Sequence, residues 1–383
     1  MITGLCPPAM SFEPDAPVRS SSDGQAATPS PTRARKGTKR MRLLLVLASF
    51  VTMALLSEGA VRIASAISFP RMMEIEDTLG WRHMPNREKR FVNEDGEELL
   101  TRHDAHGHRR LPDTLESSSR TTNVLVLGDS FTEAAQVSSA DAFTGRLAQA
   151  DPTLNVLNAG VGGYSTIQQY IYLREHGKAF APDLVLLVAY ENDLTDNCLP
   201  YSPGVGGRPW ARLDGDAFEV IEDYDDEPYL RFVAPVPFKR ALIRHSYLFY
   251  GFNDRVWRKW NKERLDQMEL EDWSALDAEE AQFIFLEMVD RMHALAGQLG
   301  AEFAVVLIPS ATALKAGDDP WRGVAASFAE ADRFPFVSLW SALSDPSSGR
   351  CYFERDIHWT RQGHAVAAEE MIPVVQEALA SRQ

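Results

Sequence analysis

Cysteine is scarce in this chain: Cys6, Cys198 and Cys351 are the only three in 383 residues, and no two stand in C-x-x-C spacing. A structural zinc site built on paired thiolates is therefore not expected. Positive charge is also short. Lys and Arg number 39 against 54 Asp and Glu, a formal net charge of −15, and no basic face is in prospect to meet phosphates, which argues against a nucleic-acid binder. The chain has no internal repeat, and it lacks G-x-S-x-G, so the strained nucleophile elbow of the α/β-hydrolases is not expected. The dense acidic run Glu219–Glu227 (EVIEDYDDE) reads as a solvated loop. What remains is 45% hydrophobic content, enough for a substantial core, in a length that suits one large domain with extensions or two domains.

Residues 1–40 are rich in Pro, Ser, Ala and charge, show no apolar period, and read as a disordered tail that turns basic through Arg33, Arg35, Lys36, Lys39 and Arg40. Leu43–Leu56 (LLLVLASFVTMALL) is continuous and apolar, and Ser57–Ile67 extends it to the length of a membrane span. Basic residues before an apolar run predict a signal anchor over 41–67, with the N-terminus in the cytoplasm and the rest outside. Ala64-Ser65-Ala66 offers a cleavage site as the alternative, and Met41 an alternative start. Glu58 and Arg62, four apart, are placed to pair on one helix face.

Residues 68–120 predict a small β-rich lead-in. Its His103, His106 and His108 lie close together, but not at the H-x-x-x-H spacing of a helical metal site, and are read as packing or solvent-facing. From residue 121 the pattern alternates. Strand-like runs fall at Val124–Leu127, Asn155–Asn158, Leu184–Tyr190, Phe303–Ile308 and Phe336–Leu339. Helical stretches fall at Asp141–Ala150, Thr166–His176, Asp277–Leu299, Trp321–Ala331 and Arg361–Ala380. The stretch Asp277–Leu299 carries an apolar stripe through Phe283, Leu286, Val289, Met292, Leu295 and Leu299. Apolar strands spaced by helices predict an α/β fold, a mainly parallel sheet covered on both faces. About 199–276 reads as an insertion after the third strand, helical from about Lys239.

Four stretches carry chemistry. In NVLVLGDSFTEAAQ a buried strand runs into a tight turn, which puts Ser130 at a strand's carboxyl end beside helix N–H groups, either as a nucleophile or as a plain helix cap. NAGVGGYST follows the second strand with three glycines that let backbone N–H groups approach a ligand. YENDL follows the third strand, where Asn192 offers a side-chain amide or an Asx turn. RDIHWTRQGH precedes the last helix, with His358 as a general base and Asp356 in position to hold its other ring nitrogen.

GDSFT, NAGVGGYS, END and DIHWT, in this order over about Asn123–Ala380, resemble the ordered blocks of the SGNH (GDSL-type) hydrolases, and D-x-H-W is similar to the version in membrane-anchored bacterial members. The resemblance implies a three-layer flavodoxin-like fold over 121–383, with Ser130 as nucleophile, His358 as base and Asp356 as its partner. It implies an oxyanion hole from the Ser130 N–H, the Gly163 N–H and the Asn192 amide, with Gly160 and Gly162 as alternatives to Gly163. Many members space acid and base as D-x-x-H, whereas position 355 here is Arg. No cofactor and no metal enter this reading. Attack of the serine on an ester, resolved by water, gives an esterase; resolved by a sugar hydroxyl, it gives an O-acyltransferase. A small-molecule or polysaccharide ester, O-acetyl above all, is the expected substrate, and a glycan-binding protein without catalysis is the competing class. Trp210, Trp257, Trp260 and Trp273 in the insertion read as core rather than as sugar platforms. If the loops bearing Asn192 and His358 converge on Ser130, Cys198 and Cys351 come within reach of a disulfide, which an extracytoplasmic location permits.

Overall fold

The structure is a computed structural model, and it describes residues 35–68, 71–115, 121–203, 205–214, 217–274 and 276–382. Of the tail 1–40 expected to be disordered, residues 1–34, with Cys6, lie outside the described residues, and residues 35–40 are helical instead. The first element is a long helix, α1 (Arg35–Ser68). Its stretch Thr38–Ser65 is long and apolar enough to cross a membrane by length and composition, and none of its most apolar window is buried inside the protein. By contacts the chain divides between Leu55 and Leu56. The last turns of α1 therefore belong with the large unit. There Glu58 pairs with Arg62 at 2.7 Å and accepts from Ser246 Oγ, Tyr247 N–H and Leu248 N–H at 2.8–3.0 Å.

The lead-in forms two antiparallel hairpins, β1 (Met73–Glu76) with β2 (Gly80–His83) and β3 (Glu88–Val92) with β4 (Glu98–Arg102). The central sheet is then built from β5 (Thr122–Gly128), β6 (Leu154–Asn158), β7 (Leu184–Tyr190), β12 (Glu302–Ile308) and β13 (Phe336–Ser338), the intervening short strands lying in the insertion. All its pairings are parallel, in the order β13-β12-β7-β5-β6. The apolar runs explain this: the three central strands are buried on both faces, and the two edge strands are partly covered. Val124 and Val126 point to one layer with Phe143, Leu147 and the C-terminal helix, whereas Leu125 and Leu127 point to the other with Phe285, Val289 and Trp321. The chain leaves β5 for β6 on one side and returns to β7 on the other, so a switch point opens at the carboxyl end of β5.

The helix following the insertion (Ala278–Gln298) buries Ile284, Phe285, Met288, Val289 and Met292, which turns the expected stripe: Phe283 is 43% exposed. The insertion is not loop up to Lys239. It opens with two hairpins, Tyr201–Ser202 with Gly206–Gly207 and Trp210–Asp214 with Ala217–Ile221, so Glu219 sits in a strand rather than in a loop. Glu222 next to it takes a two-point contact from Arg174 at 2.6 and 2.8 Å, and Asp225 pairs with Arg240. Helices follow from Lys239–His245 to Lys262–Ser274. None of its four tryptophans is buried, and Trp260 is 83% exposed; the buried tryptophans are Trp81, Trp321 and Trp359.

Candidate active site

β5 ends at Gly128, and the chain turns at once into a four-residue helix, α2 (Ser130–Glu133). Asp129 is its N-cap, its carboxylate accepting the Phe131 N–H at 2.9 Å. Ser130 is thus not the cap. Its Oγ lies 2.7 Å from His358 Nε2, and the other ring nitrogen, Nδ1, is hydrogen-bonded to Asp356 Oδ1. Asp356 Oδ1 also accepts the His358 N–H at 3.1 Å, which closes a tight local turn around the base. Burial works to raise the Asp356 pKa, but the hydrogen bond and charge of His358 hold it below the usual carboxylate value. His358 packs on Phe131, with ring centroids 4.9 Å apart, and the neighbouring Trp359 is fully buried beneath it.

The glycine loop after β6 comes up beside Ser130: a Cβ on Gly162 would lie 3.8 Å from the Ser130 Cβ. Its N–H groups are distinguishable. The Gly160 N–H donates to Asn158 Oδ1 and the Gly162 N–H to Glu133 Oε2, both at 3.1 Å. Among the described residues neither the Ser130 N–H nor the Gly163 N–H has an acceptor within the chain. Gly163 has φ +80°, a conformation that side chains other than glycine rarely adopt. Asn192 opens the short helix after β7, and its amide donates to Asp196 Oδ2 at 2.9 Å and also contacts Asp129. Asp129 is buried, which pushes its pKa up to about 6 against the opposing Phe131 N–H.

A profile of the GDSL-like Lipase/Acylhydrolase family matches residues 126–366. The chain belongs to that family. As a member it is a serine ester hydrolase. Among solved structures it is similar to a member of the lipolytic G-D-S-L family from Veillonella parvula, at 11% identity over 67% of this chain and 99% of that chain, with a TM-score of 0.39. It is also similar to a catalytic mutant of Axe2, an acetylxylan esterase from Geobacillus stearothermophilus, at 11% identity over 68% and 96% of the two chains (TM-score 0.37). The lipase/acylhydrolase from Enterococcus faecalis aligns at 15% identity over 67% and 96% (TM-score 0.37). No curated protein matches the chain.

In this GDSL-like hydrolase the expected disulfide is absent: Cys198 and Cys351 are both free thiols. Their loops do approach the same site, but Cys198 packs with the layer of Trp81 and Tyr164, and Cys351 with the opposite layer of Phe131 and Trp359. The lead-in histidines separate too. His108 Nε2 bonds Tyr172 at 2.6 Å and His106 packs on Phe180, whereas the His103 ring lies tilted against His83, centroids 4.1 Å apart. His83 lies 3.5 Å from Glu133 Oε2. Burial works to raise the Glu133 pKa, yet His83, His103 and Arg109 hold it at about 2.

Three residues that support the site carry no mark in the sequence. Trp81 donates its indole N–H to the Gly162 carbonyl at 3.0 Å. Arg208, from the insertion and fully buried, donates to the Gly163 carbonyl at 3.0 Å and to Asp196 at 2.8 Å. Glu94 accepts the N–H groups of Glu354, Arg355 and Asp356 at 2.9–3.1 Å. Glu133 has one weak signal, its place three residues after Ser130 in the manner of a capping box, but its side chain turns to Gly162 instead.

Proposed function

We propose that this hydrolase is a membrane-anchored extracytoplasmic serine esterase that removes O-acetyl groups from carbohydrate through an acyl-serine intermediate. The observation that carries the chemistry is the chain of contacts Ser130 Oγ–His358 Nε2, 2.7 Å, and His358 Nδ1–Asp356. His358 takes the Ser130 proton as Oγ attacks the ester carbonyl, and Asp356 steadies the imidazolium that forms. The negative charge that develops on the carbonyl oxygen is received by the Ser130 and Gly163 N–H groups, with Asn192 as the third donor once one amide hydrogen turns from Asp129. Each such donor is worth about 2.7–4 kcal/mol of barrier. The carbon–oxygen bond to the alcohol then breaks, and His358 returns its proton to the leaving oxygen. Water then attacks the acyl carbon as His358 takes its proton; the bond from that carbon to Ser130 Oγ breaks, acetic acid leaves, and His358 returns the proton to Oγ. The apolar helix behind a basic flank supports the anchor and its orientation. The outward tryptophans Trp260 and Trp273 support a carbohydrate ester.

The test is turnover of p-nitrophenyl acetate and release of acetate from acetylated oligosaccharides by the full chain in detergent, beside Ser130→Ala. Activity on both that vanishes in the variant is expected. Equal turnover in the variant would remove Ser130 as nucleophile. Turnover of the simple ester with none of the acetylated sugars would remove carbohydrate, and acetyl transfer onto added polysaccharide would make the enzyme a transferase.

A further inference from the structure

The glycine loop of the site is a sequence of three peptide planes, and each is held by a different part of the chain. The plane between Val161 and Gly162 is fixed by the Gly162 N–H bond to Glu133. The plane between Gly163 and Tyr164 is fixed twice, by Arg208 on the Gly163 carbonyl and by the Tyr164 N–H bond to the Val161 carbonyl at 3.0 Å. The plane between them, Gly162 to Gly163, has one protein contact among the described residues: the Trp81 indole on the Gly162 carbonyl, 3.0 Å.

In a trans peptide the carbonyl oxygen and the following N–H point in opposite directions. Among the described residues all peptide bonds are trans. Whatever fixes the direction of the Gly162 oxygen therefore fixes the Gly163 hydrogen in the opposite one. Both residues flanking this plane are glycines, with no Cβ to oppose its rotation. Without its one contact, the plane is free to turn over. The carbonyl oxygen would then face the place where the ester oxygen becomes negative, and a donor would be exchanged for a repelling acceptor.

Trp81 is itself held firmly. It is 1% exposed, it meets Tyr164 edge to face at 5.8 Å, and its own carbonyl accepts the Tyr164 hydroxyl at 2.6 Å. We propose that Trp81, from the second lead-in strand, is a positioning residue of the oxyanion hole: its indole N–H holds the Gly162 carbonyl so that the Gly163 N–H faces Ser130. This rests on the reading of Gly163 as an oxyanion donor. It makes the lead-in, which precedes the first strand of the sheet, a working part of the catalytic centre.

Two variants of the full chain test it. Trp81→Phe removes the N–H and keeps an aromatic ring. Replacement of Trp81 by 3-benzothienylalanine keeps the bicyclic shape with sulfur in place of N–H, and serves if the first variant fails to fold. The expected result is a kcat for p-nitrophenyl acetate lower by about 10²-fold, the scale of one lost oxyanion donor, with KM within about threefold in a variant that is folded at the assay temperature. Ser130 phosphonylation by a p-nitrophenyl phosphonate should slow in parallel, because it too builds charge on an oxygen in the hole. A crystal structure of the variant reads the plane directly, with the Gly162 carbonyl turned toward Ser130. An unmoved carbonyl, or an unchanged kcat in a folded variant, overturns the proposal. Should the parent enzyme lack Ser130-dependent turnover, the catalytic reading fails, and the position of the carbonyl still decides whether Trp81 holds the plane.

Discussion

Asp129 combines two demands in one buried carboxylate. It caps α2 through the Phe131 N–H and stands near Asp196, and burial raises its pKa to about 6. A carboxyl that binds its proton more tightly folded than unfolded stabilises the fold below its unfolded pKa, and this contribution is lost as pH rises through the folded value. The shift corresponds to a loss on the order of 3 kcal/mol. Urea unfolding of the parent should therefore show stability falling between pH 4 and 7, and Asp129→Asn, whose carbonyl still accepts from Phe131, should flatten that fall. Gly163 makes the second prediction at this scale. Its φ of +80° and the Ser202 hydroxyl, 3.1 Å from where a Cβ would sit, make Gly163→Ala destabilising by about 1–2 kcal/mol, measured by the same unfolding, with a loss of turnover beside it. That Ser130, Asp356 and His358 meet was legible because each lies in a short contiguous motif at a predictable strand or helix end. Cys198 and Cys351 were not, because which loops converge says nothing about which layer each side chain enters.

At the scale of elements, the catalytic loops are held by hairpins that precede the sheet. The turn between β3 and β4 supplies Glu94 to three successive N–H groups of the loop bearing Asp356, and Asp95 and Glu97 pair with Arg350 and Arg361 on either side of it. Glu94→Ala leaves those three donors to water and frees the loop to move. Its expected effect is a fall in kcat of about tenfold or less, below the loss from an oxyanion donor, with the fold retained by circular dichroism. The strands and most helices were readable because apolar runs and 3.6-residue stripes are strong local signals; β7 and the last helix fall where expected. The insertion's hairpins were hidden, since short strands rich in Gly, Pro and acidic residues have no period to read and are set by contacts such as Arg174 with Glu222.

For the whole molecule, the boundary between the apolar helix and the enzyme matters. The last turns of α1 belong to the large unit, where Glu58 caps the insertion helix Tyr247–Phe252 through two backbone N–H groups. A chain beginning at Ser57 should keep that cap, and one beginning after Ser68 should lose it. A cap is worth about 1 kcal/mol, so the shorter form should melt about 1–2 °C lower in a calorimetric comparison. The apolar period of α1 was plain in the sequence, but the docking of its end was not, because it depends on residues almost 190 positions away.

The site is also ordered in time. The hairpin bearing Trp81 leaves the ribosome first, Ser130 next, and the base at His358 nearly last. At about 5–20 residues per second, the nucleophile waits on the order of ten seconds or more for the group that activates it. On the proposed mechanism a chain cut short before residue 358 holds Ser130 with no His358 to take its proton, and the pair forms only when the loop before the last helix seats.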